Sequence, residues 1–205
     1  MRISHMSVTN TLGPGLRYAI WVQGCDKRCP GCINPEGQHL DGGFETSIDA
    51  MLYNIKKSPD ITGVTISGGE PFLQYDALKE LVYEVKKQTA LDIMLYSGYR
   101  LEELKKMYPD SSDFFGYIDI FIDGEYVESQ NDNSSWRGSY NQNIYCFTDK
   151  YKTYAKQMKK NKTRKFSFEI TEEGEIFFVG IPPKGMYEEF MTKIGGKNYE
   201  WKKSV

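Results

Sequence analysis

No run of eighteen apolar residues occurs anywhere in this chain, so no segment is long enough to cross a bilayer as a helix. A charged-then-apolar leader is also lacking at the start, and the expected location is the cytoplasm, away from membranes. Charge of one sign is equally scarce. Against 28 acidic residues stand 26 basic ones, a formal net charge of -2, too little field to attract nucleic acid or an anionic membrane surface. Histidine is nearly absent: His5 and His39 have no partner at metal-ligand spacing, and His39 reads as a surface-loop residue. Internal repeats and low-complexity tracts are missing too. A single globular domain of 205 residues, 40% hydrophobic and 26% charged, is what remains.

Cysteine is sparse but concentrated. Three of the four cysteines fall within eight positions, Cys25-Asp26-Lys27-Arg28-Cys29-Pro30-Gly31-Cys32, which does not resemble a secreted disulfide framework. In a reducing compartment such a cluster points to metal binding or catalysis. Three thiolates are one too few to saturate an iron–sulfur cube, and an iron without a protein ligand is an open coordination site. The same spacing also suits three-quarters of a structural zinc site, with Cys146, His5 or His39 as the fourth ligand.

Apolar runs of strand length alternate with segments of helical period. Leu16 to Gln23, Gly63 to Ser67, Leu91 to Tyr96 and Ile118 to Ile122 read as strands. Between them, Ile48, Met51, Leu52 and Ile55, capped at Thr46 or Ser47, form one helix face; Leu78, Leu81, Val82 and Val85 form a second, and Leu101, Leu104 and Met107 a third. This alternation predicts an α/β fold with βαβ units around a parallel sheet, its ligands gathered at the carboxyl ends of the strands. About four or five units are fewer than a full (β/α)8 barrel needs, so the expectation is an incomplete, open β/α barrel. Residues 1–149 read as the core and 150–205 as a C-terminal extension on it, with Phe166–Ile170 and Glu175–Val179 as a β-hairpin. The basic block Lys156 to Lys165 reads as a solvated helix end and linker.

A second motif, Ser67-Gly68-Gly69-Glu70-Pro71, ends the next expected strand. Paired glycines allow close approach of backbone to a ligand, and a carboxylate can accept from a ligand ammonium group. Alone it is a common turn.

The two motifs together resemble the radical S-adenosylmethionine (SAM) enzymes. The series Leu12-Gly-Pro-Gly-Leu-Arg17, Gln23-Gly-Cys25, Cys29-Pro-Gly-Cys32-Ile-Asn34, Ser67-Gly-Gly-Glu-Pro71, Tyr96-Ser-Gly-Tyr99, Asp119-Ile-Phe-Ile-Asp-Gly124 and Arg137-Gly-Ser-Tyr-Asn-Gln142 is similar to the activating enzymes of anaerobic (class III) ribonucleotide reductase. Ile33 departs from the usual aromatic, Glu70 from aspartate and Ser97 from threonine, each swap keeping the kind of contact. The resemblance implies that Cys25, Cys29 and Cys32 hold a [4Fe–4S] cluster whose fourth iron SAM chelates. It implies SAM contacts at Gly31, Ile33, Gly68, Gly69, Glu70 and Ser97. Reductive cleavage would yield a 5′-deoxyadenosyl radical that stores a glycyl radical on a large reductase. A low-potential donor such as flavodoxin or ferredoxin would supply the electron.

The polar segment 128 to 143 could lie along the open side of the barrel, with Arg137, Asn141 and Gln142 meeting the partner's backbone. The same residues could instead stabilise their own turns. Asp123, before Gly124, reads as a turn residue and Cys146 as a buried small hydrophobe. Two other functions stay open: a radical SAM enzyme acting on another glycyl-radical protein, a peptide or a small molecule, and a non-enzymatic zinc or iron–sulfur module.

Overall fold

In the computed structural model, residues 1–158, 161–170 and 176–193 are described. Four strands run parallel at the centre: β2 (Arg17–Val22), β4 (Gly63–Gly68), β5 (Asp92–Ser97) and β6 (Ile120–Asp123). The edges are antiparallel. β1 (Arg2–Thr9) pairs with β2, β3 (Phe44–Glu45) with β1, and β7 (Asn143–Cys146) with β6, giving one mixed seven-stranded sheet in the order β3-β1-β2-β4-β5-β6-β7. The expected α/β class and the four parallel strands are therefore present. The antiparallel edge strands of this sheet were not legible: polar residues interrupt β1, and β3 and β7 are only two and four residues long.

Strand alternation divides the sheet into two apolar faces. Ile20, Val22, Val64, Ile66, Ile93, Leu95 and Phe121 face one core, covered by α1 (Ile48–Lys57), α2 (Tyr75–Gln88), α3 (Leu101–Met107) and α4 (Ser111–Gly116). Helix α1 buries Met51, Leu52 and Ile55, and Ser47 Oγ accepts from Ala50 N–H at its first turn, satisfying an amide the helix cannot. Ala19, Trp21, Met94, Ile120 and Ile122 point the other way. That face is closed by Trp136, Ile144 and Tyr151 and, at its other end, by Leu12 and Val179. Loops and C-terminal residues cover it, among them Tyr154, whose ring lies 5.2 Å from that of Trp136.

Past α5 (Lys152–Met158), β8 (Phe166–Ile170) and β9 (Ile176–Gly180) form the antiparallel hairpin, followed by α6 (Met186–Lys193). Its turn, 171–175, lies outside the described residues, as do residues 159–160 of the basic block and 194–205. The hairpin leans on β1: His5 stacks on Phe177 with ring centroids 4.6 Å apart, and its Nε2 meets a Glu169 carboxylate oxygen at 2.9 Å. Among the described residues no helix is long and apolar enough to cross a membrane.

At the amino ends of the parallel strands, Arg17 is fully buried and pairs with Asp92 at 2.6 Å. Register places these ends together, Arg17 opposite Gly63 and Gly63 opposite Asp92. At the carboxyl ends the same register brings Val22 against Gly68 and Ser97 against Asp123. Everything chemically suggestive in the sequence issues from that second edge.

Candidate functional site

The cysteine loop leaves β2 through Gly24, which adopts φ +94°, a left-handed conformation that favours glycine. Backbone bonds then knit three segments together. Gly24 N–H donates to Gly37 O at 2.8 Å, Gly69 N–H to Val22 O at 2.7 Å, and Glu70 N–H to Gly24 O at 2.8 Å. A Cβ on Gly69 would stand 2.1 Å from Gly24 O, so this crossing tolerates only glycine. What the glycine pair approaches so closely is the base of the cysteine loop itself.

Cys25, Cys29 and Cys32 are half-buried and not disulfide-linked. Burial pushes the Cys25 thiol up to about 11 and raises Cys29 as well, so both are protonated at neutral pH until a metal draws the proton off. The loop turns back at Cys32, whose N–H donates to Cys29 O at 3.1 Å. Among the described residues no three His, Cys, Asp or Glu side chains converge on a point that would hold a single ion. The residues considered for a fourth zinc ligand are also engaged elsewhere. His5 meets Glu169, Cys146 on β7 lies 3.6 Å from Tyr151 O, and His39 is exposed beside Glu36.

One cleft, about 700 Å³, adjoins the loop. It is lined by Cys32, Ile33, Asn34, Gly68, Tyr96, Tyr126, Gly138, Gln142, Arg164 and Pro182, among others. Three observations bear on what it would hold. One thiol, Cys32, stands at one wall, with Cys25 and Cys29 on the same loop but outside the lining; Gly68 exposes backbone at another; and Asn34, 3% exposed, has an amide nitrogen with no hydrogen-bond partner. Its Oδ1 accepts from Gly37 N–H at 3.0 Å. A buried unpaired donor is costly unless something fills it, so a ligand bearing acceptors fits here. A cluster on the thiols with SAM beside it meets these demands.

Of the residues assigned to SAM, Ile33 and Gly68 line the cleft, whereas Gly31, Gly69, Glu70 and Ser97 do not. Gly31 is exposed at φ +72°, its Cα side against the Glu128 carboxylate. Glu70 is fully buried. Its carboxylate accepts from Phe72 N–H at 3.0 Å, Ser97 Oγ at 2.9 Å and Gly98 N–H at 2.6 Å. Burial pushes its pKa up to about 7 against the pull of those three bonds. The carboxylate thus fastens the end of β4 to the end of β5 beneath the cleft.

The loop after β6 behaves similarly. Gln142 lines the cleft, but its Oε1 accepts from Gly138 N–H at 2.7 Å and its Nε2 donates to Gly124 O at 2.7 Å. Asn141 Nδ2 donates to Glu125 O at 2.8 Å. Arg137 is buried; it donates to Gln142 O at 3.1 Å, lies 3.7 Å from Asp132 and carries the exposed Tyr140 ring 4.9 Å from its guanidinium carbon. These side chains fold the loop's own turns. Asp123 does more than make a turn: its carboxylate accepts from Leu101 N–H and Asn143 Nδ2, each at 2.8 Å, and pairs with Arg100 at 3.1 Å. Asn34, Tyr126 and Arg164 were missed from sequence. Asn34 carried a signal in lying two residues past Cys32, and Arg164 was masked by the basic residues around it.

Comparison with known proteins adds a second line. Residues 11–145 match the family described as the 4Fe-4S single cluster domain. A protein of Haemophilus influenzae called anaerobic ribonucleoside-triphosphate reductase-activating protein is 36% identical over 143 residues, covering 66% of this chain and 90% of that protein. Proteins of the same description from phage T4, 32% identical over 143 residues and covering 67% and 88%, and from Escherichia coli K12, 30% identical over 141 residues and covering 65% and 90%, are similar in the same way.

Proposed function

From a chain that belongs to the 4Fe-4S single cluster domain family and to the activating proteins of anaerobic ribonucleoside-triphosphate reductase, we propose the following division of labour. The protein is an activase that generates a glycyl radical on its reductase. Cys25, Cys29 and Cys32 hold the [4Fe–4S] cluster, and SAM occupies the adjoining cleft. When bound, these groups supply the reductive cleavage of SAM and the 5′-deoxyadenosyl radical that takes a hydrogen atom from a glycine of the partner.

The chain's own residues bind and orient. Ile33 and Gly68 contact SAM directly, Asn34 donates its unpaired N–H to a SAM acceptor, and Gly31 lets the loop turn back toward the thiols. Gly69, Glu70 and Ser97 act from below, holding the backbone that presents Gly68. The seven-stranded sheet, with β3 and β7 at its edges, is read as an incomplete barrel whose open side admits a loop of the partner. Arg137, Asn141 and Gln142 shape the loop that meets it. Residues 1–149 form the catalytic core and 150–205 an extension packed on it. The electron comes from a low-potential donor of flavodoxin or ferredoxin type, and the protein works in the reducing cytoplasm.

The observation that carries this reading is that Cys32, Ile33, Asn34, Gly68 and Gln142, from motifs scattered over more than a hundred residues, line one cleft. Anaerobic reconstitution is expected to give about four irons and four sulfides per chain and no zinc. Reduction in the presence of SAM is then expected to yield 5′-deoxyadenosine, and addition of an anaerobic ribonucleotide reductase an EPR doublet of a glycyl radical. Zinc in place of iron, or no 5′-deoxyadenosine, would overturn the enzymatic reading; cleavage without any radical on the reductase would overturn the choice of partner.

A further inference from the structure

Arg164 lies beyond residue 145, where the family match ends, yet it lines the cleft together with Cys32 and Gln142. It is buried. Its Nε donates to Ser134 O at 3.1 Å, Nη1 to Pro182 O at 2.9 Å, and Nη2 to Arg137 O at 2.8 Å and Gly138 O at 2.9 Å. Every acceptor is a backbone carbonyl, and among the described residues no carboxylate lies within ion-pair distance of it. Gly138 and Pro182 both line the cleft, so one rigid fork joins two of its walls. Lysine offers no such planar fork.

The turn that Arg164 grips is strained at one residue. Asn133, at φ +60°, is of a type that enters the left-handed region readily, but Trp136 holds φ +66°, which a bulky residue keeps only where the surroundings impose it. Here they do. Ser135 N–H donates to Asn161 O at 3.0 Å, Ser135 Oγ to Thr163 O at 2.8 Å, and Lys184 N–H to Asn133 Oδ1 at 2.8 Å. Lys162 pairs with Asp132. From the other side Tyr96 Oη donates to Trp136 O at 2.8 Å. Residues 161–164 and 182–184 thus strap down residues 132–138.

We propose that Arg164 is a positioning residue for the partner-facing wall of the cleft: the C-terminal strap holds the 132–138 turn in its strained form, and that form sets where the partner's glycine-bearing segment lies. This rests on the activase reading. The strap itself does not, because its effect on the turn is measurable without turnover.

The test compares full-length wild type with Arg164→Lys and, as a milder variant, Ser135→Ala. Amide hydrogen exchange of residues 132–138 is expected to accelerate by about tenfold or more in Arg164→Lys and less in Ser135→Ala, with β4 and β5 unchanged. KM for the reductase is expected to rise by about tenfold in Arg164→Lys and severalfold in Ser135→Ala; because Ser135 does not line the cleft, Ser135→Ala is expected to keep kcat and SAM cleavage without the reductase within about twofold. Unchanged exchange in the turn, or an unchanged KM, overturns the proposal. So does a parallel loss of partner-free cleavage in Ser135→Ala, which marks a merely structural role. A wild-type protein that makes no glycyl radical would sink the activase reading and the partner-facing half of the proposal with it, while the exchange data still decide the strap.

Discussion

Ser97 Oγ donates to the Glu70 carboxylate at 2.9 Å inside the protein, so the two side chains face each other. The pair joins the carboxyl ends of β4 and β5. It therefore sets the height at which Gly68 stands in the cleft, and it gives Glu70 a titration unlike that of a surface carboxylate.

Burial holds the Glu70 pKa up at about 7, whereas an unfolded chain returns it to the ordinary value of 4.5. Between those limits the folded protein binds the extra proton, so this group's contribution makes stability fall as pH rises through the window and lowest above it. About two and a half pH units correspond to a change on the order of 3 kcal/mol. Glu70→Gln is expected to flatten the dependence of unfolding free energy between about pH 5 and pH 7. Denaturant melts at matched cluster content measure it; a variant that keeps the wild-type slope would show that another group titrates.

Asp92 has the opposite sign. Burial would raise its carboxyl, but the Arg17 guanidinium, the Tyr151 hydroxyl and Lys150 outweigh it and hold it below the usual carboxylate range. The charged form is favoured by folding, so its contribution is complete above the unfolded pKa and is lost as pH falls through the folded one. Asp92→Asn leaves Arg17 as a fully buried cation without its partner. We expect a loss of about 3 to 5 kcal/mol at pH 7, narrowing below about pH 4. Urea unfolding at pH 7 and pH 3 checks both the size and the narrowing.

How much of this was legible in sequence depended on what burial does to each element. The four parallel strands are apolar on both faces, so β2 reads as a continuous run from Tyr18 to Val22. β1, partly exposed along most of its length, carries Arg2, Ser4, His5 and Ser7 and gives no such run. α4 is six residues long and opens on two serines, too short to show a helical period. The cysteine loop and the glycine pair were legible because chemistry and backbone conformation restrict those positions to one residue type. The direction of the Glu70 carboxylate was not, since the same residue serves a ligand ammonium or three internal donors equally well. Arg164 was hidden for the converse reason: a buried guanidinium and a solvated one look alike inside a run of lysines.

Cysteine substitutions separate the cluster from the rest of the fold. Cys29→Ala removes one of three thiolates and is expected to drop bound iron from about four per chain to near zero and to abolish 5′-deoxyadenosine formation. Cys146→Ala, on β7 with its sulfur 3.6 Å from Tyr151 O, is expected to keep both. Iron analysis and chromatographic assay of 5′-deoxyadenosine decide it. Full cleavage by Cys29→Ala, or loss of iron from Cys146→Ala, would place the cluster elsewhere.

Asn34 offers the sharpest test of what fills the cleft. Its Oδ1 serves Gly37 N–H at 3.0 Å while its Nδ2, buried, has no partner. Asn34→Asp keeps an acceptor for Gly37 and replaces the unpaired donor with a carboxylate oxygen. If Nδ2 exists to donate to SAM, the substitution loses that bond and sets a lone pair against an acceptor, a cost of about 1 to 3 kcal/mol, or roughly five- to 150-fold in Kd. Burying the new carboxylate also costs stability, so the melting temperature is expected to fall as well, and the loss of affinity is read at a temperature where both proteins are fully folded. Equilibrium binding of SAM to the reconstituted cluster protein, run beside a melting curve, distinguishes the two effects. Equal affinity in wild type and variant would mean that the unpaired amide faces nothing in the bound state, and that Gly68 and Ile33 hold the ligand without it.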